Sequence, residues 1–425
     1  MRSLTLALLL ALSAFGCQGL QPRAGGGETA TVQEGWLSAL LSTDPTLAPL
    51  HDQAGALRLQ LLVSEVIESA EGGAPTLARD SFRLDAEYFY PASTVKLFAA
   101  LGALEWLGEV SRGPESSPTT DSPLRIHPCF EDEELATEDP SNLDGGTITI
   151  GHEVRKLCIV SDNRAHNRLL GLIGHEGIHR RAWRAGFPTV RCLHRLSELR
   201  TPTENLRTPR IEIGADEGDW IEVPERTSPL RLDSAAWSGL QIGRGVKRGE
   251  AVTEGPMDFT GKNSVSLLDL QNAMISTVRP DIDLGIPGYR LRDDHRAFIV
   301  EALRQLPRES ENPLYDPEKY TDDWVKFLLP GLREVTPAAA LDVHDKVGLA
   351  YGFTIENAHV VDRESGRSFF ITGCLHTNPN GILNDGVYGY DAVAFPFWKD
   401  LGRALARELL RPETRLEPSA DPERP

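Results

Sequence analysis

The chain's length, composition and charge set the first limits on what it can be. Its 425 residues could form one large domain or two smaller ones, and an apolar share of 40% is enough for a buried core. Lysine and arginine total 44 against 62 aspartates and glutamates, a formal net charge of −18. This acidity excludes nucleic acid or an anionic membrane surface as the main partner, because both reward clustered positive charge.

The N-terminus has the pattern of an export signal. A positively charged second residue precedes an apolar run from Leu4 to Leu12, which is too short to span a bilayer. We expect residues 1–17 to be a signal peptide of the bacterial lipoprotein type, in which Cys17 carries the lipid; simple secretion is the alternative. Residues 18–33 are expected to form a flexible linker. The protein would then be periplasmic or on the outer cell surface, attached to a membrane only through Cys17.

Four cysteines remain after Cys17, and an exported protein can pair them. They are Cys129, Cys158, Cys192 and Cys374. Four cysteines allow three pairings, between which the sequence does not choose. Their spacing suits neither a zinc ribbon nor a redox pair.

Hydrophobic periodicity predicts a mixed domain of strands and helices over 34–410. The predicted elements are, in chain order, a helix over 34–50, strands over Leu57–Ile67 and Ser81–Tyr90, a helix from Ser93, helices over 153–160 and 165–173, helices over 264–277, 294–305 and 321–329, strands over Gly348–Val361 and Ser368–Leu375, and a helix over Phe397–Leu410. The Gly-, Pro- and charge-rich segment 200–262 is interpreted as an insertion containing a hairpin over 210–223, and 411–425 as a disordered tail. This order predicts an α+β fold, with an antiparallel sheet flanked by helices and an all-helical subdomain inserted.

A serine and a lysine stand at the head of a predicted core helix. Ser93 is a good N-cap, and the residues that follow it are apolar on every side, which is typical of a buried helix. Lys96 lies three residues on, hence on the same face, where burial would favour its neutral amine. A neutral amine can take the proton of a hydroxyl, so the pair is a candidate nucleophile and base. The alternative is a capping serine beside a lysine that reaches solvent.

Three short motifs occur in one order along the chain. They are Ser93–Lys96 (Ser-Thr-Val-Lys), Ser161–Asn163 (Ser-Asp-Asn) and Lys346–Gly348 (Lys-Val-Gly). This set resembles the Ser-x-x-Lys, Ser-Asp-Asn and Lys-Thr-Gly motifs of the penicillin-recognising serine hydrolases, most closely the class A β-lactamases. The resemblance covers about 57–200 and 260–410 and implies a β-lactamase/transpeptidase-like fold.

The resemblance also implies four catalytic roles. Ser93 would attack a carbonyl carbon and become acylated, and Lys96 would activate it. Ser161 would relay a proton to the leaving nitrogen. Lys346 would supply positive charge beside Ser161 and the acid group of the substrate.

Three further residues would bind substrate. Asn163 would bind a substrate amide, and Gly348 would let the substrate lie close along its strand. The backbone N–H groups of Ser93 and Leu349 would stabilise the oxyanion. We expect a small-molecule or peptide acyl substrate, a monomer, and no metal or cofactor.

Two positions depart from the family pattern. Val347 stands where the family has a hydroxyl that helps hold the β-lactam carboxylate. Ser197 stands where class A enzymes have the deacylating glutamate, and Glu198 and Glu204 are only weak counterparts. An acyl-enzyme here would hydrolyse slowly or pass its acyl group to an amine. A D,D-peptidase-like or esterase-like hydrolase, or a non-catalytic penicillin-binding-like domain, therefore stays an alternative.

A zinc-protease pattern also occurs, over His175–His179 (His-Glu-Gly-Ile-His). Zinc binding would need both histidines on one helical face, and glycines at 174 and 177 flank and interrupt the segment. We interpret these residues as surface histidines in a turn between two helices, and expect no metal there.

Overall fold

The computed structural model describes residues 35–69, 72–111, 117–214 and 219–412. The expected signal peptide, the expected linker and almost all of the expected tail lie outside the described residues. Within those ranges, no helix has the length and apolar character needed to cross a membrane.

Helices and strands follow one another through the described ranges. The helices are α1 (Trp36–Thr43), α2 (Ala48–His51), α3 (Lys96–Val110), α4 (Ile150–Ile159), α5 (Asn163–Ile173), α6 (His175–Ala185), α7 (Leu267–Val278), α8 (Asp293–Arg304), α9 (Leu329–Leu332) and α10 (Phe395–Leu405). The strands are β1 (Gln60–Ile67), β2 (Thr76–Phe82), β3 (Leu124–Ile126), β4 (Arg207–Thr208), β5 (Ile211–Gly214), β6 (Trp220–Val223), β7 (Arg226–Thr227), β8 (Gln241–Ile242), β9 (Gly245–Arg248), β10 (Ala251–Glu254), β11 (Met257–Asp258), β12 (Leu341–Asp345), β13 (Gly348–Ala350), β14 (Phe353–Asp362), β15 (Ser368–His376) and β16 (Ile382–Leu383).

A six-stranded antiparallel sheet forms the centre of the molecule. Its order is β12-β14-β15-β1-β2, and β13 adds to β14 beyond the end of β12. Strand β1 thus pairs with β15 from the far end of the chain, with Gln60 opposite Cys374. The segment between β2 and β12, which contains α3 to α9 and the short strands β3 to β11, is therefore an insertion into the sheet, as the α+β prediction required.

The sheet is covered on both faces, which explains why β14 and β15 are buried along nearly their whole length. Side chains alternate between the faces, so Phe369 and Ile371 pack in the core beneath α1, α9 and α10. Phe370 and Cys374 belong to the opposite core, which contains α3 and α7. A Cβ on Gly373 would lie 2.3 Å from Leu61, so glycine is needed for this close packing.

Helix α3 is the centre of the inserted subdomain, because it is apolar on all sides. Almost every one of its residues is buried, and it contacts α4, α5, α6 and α8. The predicted core helix is therefore confirmed. The insertion over 200–262 consists of short strands, and the hairpin predicted over 210–223 is present as β5 and β6.

Three element predictions were wrong in their bounds. The second strand was predicted over Ser81–Tyr90, but β2 ends at Phe82, because Arg83 and Asp85 have positive φ (52° and 55°) and turn the chain. The helix predicted over 321–329 is a run of turns followed by the four-residue α9.

The strand predicted over Gly348–Val361 is two strands, β13 and β14. They meet at a tight turn in which Tyr351 and Gly352 have φ of 55° and 84°. Strand β12, which carries the chain into the third motif, has no counterpart in the prediction. All four described cysteines are buried free thiols, so none of the three pairings that the sequence allowed forms.

Candidate active site

Ser93 lies in a tight turn at the head of α3. The turn is a 3₁₀ helix over Ala92–Val95, and Ala92 enters it with φ of 47°, a strained conformation for alanine. The prediction that Ser93 caps the helix is wrong, since neither this turn nor α3 has a side-chain cap, and Val95 precedes α3. The Ser93 side chain is half-buried and lines a cavity. Its hydroxyl therefore faces the space that a substrate would occupy.

Lys96 is completely buried, and its amine contacts Ser161. The Nζ atom donates to the carbonyl oxygen of Ser161 and, at 3.2 Å, to its Oγ. Burial lowers the pKa of Lys96 well below its ordinary value, helped by the charge of Lys346 and opposed by Asp162. A neutral amine has two N–H groups and one lone pair. Because Ser161 accepts both N–H groups, the lone pair of a neutral Lys96 is not used by these contacts.

Ser161 lies in the sharp connection between α4 and α5. Its φ is 62°, and the next residue, Asp162, caps α5 by accepting from the N–H of Ala165 at 2.7 Å. Because Asp162 is the N-cap of α5, the new helix begins directly after Ser161. Ser161 is therefore held in the left-handed conformation between α4 and α5. Its hydroxyl accepts from both lysines, which leaves its own proton available for donation towards the cavity.

Lys346 reaches Ser161 from the opposite side, at the junction of β12 and β13. Its Nζ donates to Ser161 Oγ at 2.9 Å and to the carbonyl of Val347 at 3.1 Å. Burial lowers the pKa of Lys346 to about 8, with Cys158 and Asp345 acting to raise it and Lys326 to lower it. Positive charge is thus held against Ser161 near neutral pH.

Strand β13 packs directly on the turn that carries Ser93. A Cβ on Gly348 would lie 2.5 Å from the carbonyl oxygen of Pro91, so only glycine allows this approach. Leu349, the next residue, is 41% exposed and lines the same cavity. The first turn of a helix has backbone N–H groups with no partner inside the helix. The two segments predicted to hold the oxyanion are therefore adjacent.

Asn163, at the start of α5, lines the cavity and contacts Ser197. Asn163 Nδ2 donates to Ser197 Oγ at 2.6 Å, and Ser197 has φ of 53°. Serine therefore occupies the place beside Asn163. Glu198 is held elsewhere, because it accepts from Asn167 Nδ2 at 3.0 Å and pairs with Arg200 at 2.8 Å.

Glu204, the other weak candidate, also lies outside the lining of the cavity that contains Ser93. Its carboxylate accepts hydrogen bonds from the backbone and hydroxyl of Thr201, both at 2.7 Å. Neither glutamate lines the cavity that contains Ser93. Both weak candidates for a deacylating base are thus engaged by other residues, Glu198 by Asn167 and Arg200 and Glu204 by Thr201.

The cavity that opens on Ser93 has a volume of about 1050 Å³. Its lining residues are Ser93, Val160, Ser161, Asn163, Thr321, Asp323, Trp324, Val325, Phe327, Pro330, Val347, Leu349, Tyr390, Asp391, Phe395, Pro396, Lys399 and Asp400. Of the predicted site residues, Ser93, Ser161, Asn163 and Leu349 line it. Lys96, Lys346 and Gly348 lie behind this surface. The structure thus brings all seven predicted residues together.

The far wall of the cavity was not predicted. It comes from segment 321–330, which leads into α9, and from segment 390–400, which leads into α10. It includes Trp324, Tyr390 and Phe395. No motif marks these segments. A tryptophan beside two aspartates was the only local signal in the sequence, and the pattern there was interpreted as a helix.

The histidines of the zinc-protease pattern are buried within α6, so the prediction of surface histidines in a turn is wrong. His179 uses both ring nitrogens: Nε2 accepts from the N–H of Cys192 at 3.0 Å and Nδ1 donates to the carbonyl of His175 at 2.6 Å. His175 Nδ1 contacts Ser228 Oγ at 2.9 Å. Burial lowers the pKa of His175 to about 4 and of His179 to about 3. These contacts leave His179 without a free lone pair for a metal ion.

Comparisons with known proteins found likeness only among solved structures. No protein-family model matches the chain, and no curated protein matches it. A β-lactamase from Desulfarculus baarsii DSM 2075 is 17% identical, with 87% of this chain and 98% of that one covered and a TM-score of 0.44. β-Lactamases from Streptosporangium roseum (15%, 85% and 97%, 0.44) and Burkholderia ambifaria (16%, 88% and 98%, 0.44) are similar to the same degree. At these identities and TM-scores the likeness carries no argument about activity, which rests on the side chains of the site.

Proposed function

We propose that the protein is an exported serine hydrolase, class A β-lactamase-like in its motifs, that forms an acyl-enzyme at Ser93 and hydrolyses an amide or a β-lactam. One observation carries the proposal. Two buried lysine amines, of Lys96 and Lys346, converge on the Oγ of Ser161 at 3.2 and 2.9 Å, beside the cavity that Ser93 lines. Burying two amines on one hydroxyl is costly for folding, and proton transfer gives a reason for it.

The acylation step follows from this geometry. Ser93 Oγ attacks the carbonyl carbon, and its proton passes to the lone pair of Lys96. Backbone N–H groups of Ser93 and Leu349 stabilise the oxyanion as it forms. The carbon–nitrogen bond then breaks, and the leaving nitrogen takes the proton of Ser161, which Lys96 replaces. Lys346 remains an ammonium throughout and stabilises the negative charge that passes over Ser161.

Deacylation has no equally well-placed base. A water molecule must attack the Ser93 ester, and in class A enzymes a glutamate activates it. The sequence pattern puts Ser197 at the position of that glutamate, its hydroxyl accepts from Asn163, and Glu198 is paired with Arg200. We therefore expect a long-lived acyl-enzyme with slow hydrolysis.

The alternative hydrolase is D,D-peptidase-like or esterase-like, and Val347 favours it. Its side chain is 4% exposed, apolar and part of the cavity wall, where a hydroxyl would hold a β-lactam carboxylate. The non-catalytic penicillin-binding-like domain would keep the cavity but form no covalent bond.

The test is the mass of the intact protein over time after mixing with a panel of β-lactams and acyl-peptides. We expect an adduct that grows quickly and decays slowly, and that is absent from Ser93→Ala. Ser42→Ala, which alters an exposed serine in α1, is the matched control and should form the adduct normally. If correctly folded protein forms no adduct with the panel or with a fluorophosphonate, the binding-domain alternative replaces this proposal.

Export, lipid attachment at Cys17 and a monomeric state belong to the same proposal. Expression of the full chain in a Gram-negative host, followed by fractionation, tests the first two. We expect the protein in the membrane fraction and Cys17→Ser in a soluble or unprocessed form. An unchanged distribution of the variant would refute lipid attachment, and size-exclusion chromatography with light scattering measures the mass in solution.

A further inference from the structure

The cavity in front of Ser93 has an aromatic wall opposite the catalytic motifs. Trp324 is fixed by a hydrogen bond from Nε1 to the carbonyl of Val160 at 3.3 Å. Tyr390 is fixed by its hydroxyl, which accepts from the N–H of Gly352 at 2.8 Å. Phe395 lies beside Tyr390, with ring centroids 6.2 Å apart. The rings thus belong to ordered parts of the wall, and aromatic faces attract cations.

Carboxylates are interspersed with these rings. Asp323, Asp391 and Asp400 line the cavity, and Lys399 is the one basic residue among the described lining residues. Lys399 already pairs with Glu334 at 2.7 Å. Asp323 and Asp391 are exposed, and neither carboxylate has a hydrogen-bond or ion-pair partner among the described residues. Asp400 pairs with Arg403 at 2.7 Å. The negative charge that no described residue neutralises is therefore that of Asp323 and Asp391.

The same cavity offers little to a negatively charged substrate. The amines of Lys96 and Lys346 lie behind the cavity surface, and both donate to Ser161. Val347, which lines the cavity and is almost completely buried, has no side-chain donor for an anion. A carboxylate placed beyond Ser93 would meet Asp323 and Asp391, and none of the described lining residues offers it an unpaired cation.

We infer that the substrate of Ser93 carries a positively charged group, an ammonium or a guanidinium, on the part that enters this cavity, and no free carboxylate there. The inference rests on the proposed function, since it takes Ser93 as the nucleophile. Aromatic faces and unpaired carboxylates together attract an organic cation by charge and by ring quadrupole. The reaction would then be acyl transfer from an amine-bearing amide or ester, a different charge class from a penicillin carboxylate.

Three 4-nitrophenyl esters test the inference. Their acyl chains have equal length and end in an ammonium, a methyl or a carboxylate group. Release of nitrophenolate gives kcat/KM for each at low and high salt. We expect kcat/KM to decrease in the order ammonium, methyl, carboxylate. The span, meaning the ratio of kcat/KM between the ammonium and the carboxylate ester, should be about tenfold at low ionic strength and smaller at high salt.

The double variant Asp323→Asn/Asp391→Asn should narrow the span to about twofold, because it lowers kcat/KM for the ammonium ester more than for the methyl ester and each exposed charge contributes modestly. Asp219→Asn is the matched control. Asp219 is exposed, lies outside the cavity lining and has no partner among the described residues, so the full span should persist.

The outcomes separate this inference from the proposed function. Equal rates for the three esters, a preference for the carboxylate, or a span that survives the double variant would overturn the inference, while acylation of Ser93 would stand. A double variant that slows the methyl ester as much as the ammonium ester would overturn it too. If no ester releases nitrophenolate and a fluorophosphonate does not label Ser93, the proposed function itself fails.

Discussion

Replacing Lys346 by methionine should stabilise the fold while it removes activity. The buried ammonium is held against a cost of desolvation, which lowers its pKa from the ordinary 10.5 to about 8. At about 1.4 kcal/mol for each pKa unit, keeping the charge in the fold costs roughly 3 kcal/mol below pH 8. Methionine has a similar length and no charge. It forfeits the hydrogen bonds to Ser161 and Val347, worth about 1 kcal/mol together once solvation is counted.

The stability difference between Lys346→Met and the wild type should depend on pH. The folded pKa lies below the unfolded pKa, so the unfolded chain binds more protons, and the wild type gains stability as pH rises from about 8 towards 10.5. We therefore expect Lys346→Met to raise the free energy of unfolding by about 2 kcal/mol at pH 6.5. The advantage should shrink to near zero at pH 9.5, where the amine of the wild type is already neutral in the fold.

Urea denaturation at the two pH values measures the difference, and intact-mass kinetics measure acylation. Acylation should fall about a hundredfold, the usual scale for losing one electrostatic group from a transition state. Lys319→Met, which replaces an exposed lysine, is the control and should change neither the pH dependence nor the acylation rate. A variant that is clearly less stable than wild type at pH 6.5 would refute the reasoning.

Three further predictions concern the same site. The acylation rate should fall as pH rises through about 8, where Lys346 loses its charge, and a stopped-flow profile that is flat from pH 7 to 9 would contradict this. Ser197→Glu should place a carboxylate beside Asn163 and shorten the lifetime of the Ser93 adduct about tenfold or more, as general bases do; mass spectrometry measures the decay, and Ser197→Gln is the uncharged control. Gly348→Ala should destabilise the protein by about 1–3 kcal/mol and slow acylation, because its Cβ would lie 2.5 Å from a carbonyl oxygen; unchanged urea midpoints and rates would show that β13 can move away.

Much of the fold could be predicted because its signals are local, whereas the grouping of the candidate site residues was predicted from the resemblance of three motifs to a known family. Helix α3 is apolar on every side over 15 residues, and Asp162 caps α5 three residues from its partner. The wrong predictions concern segments in which the backbone conformation, rather than the hydrophobic pattern, determines where an element ends. Ser81–Tyr90 alternates like a strand, yet positive φ at Arg83 and Asp85 turns it. The segment 321–329 has helical spacing but packs as turns against the cavity.

Sequence alone determined an α+β chain with a serine and lysine at the head of a core helix, and two later motifs matched to it. The fold class and the helix head depend on periodicity and on spacings of three or four residues, which local physics controls. The match of the two later motifs depends on their resemblance to a known family. Only tertiary structure decided that Lys346 and Ser161, 185 positions apart, share a hydrogen bond. It also paired Glu198 with Arg200, left the cysteines as thiols and lined the cavity with aromatic rings and aspartates. Such contacts depend on how distant segments pack, and no short pattern encodes that packing.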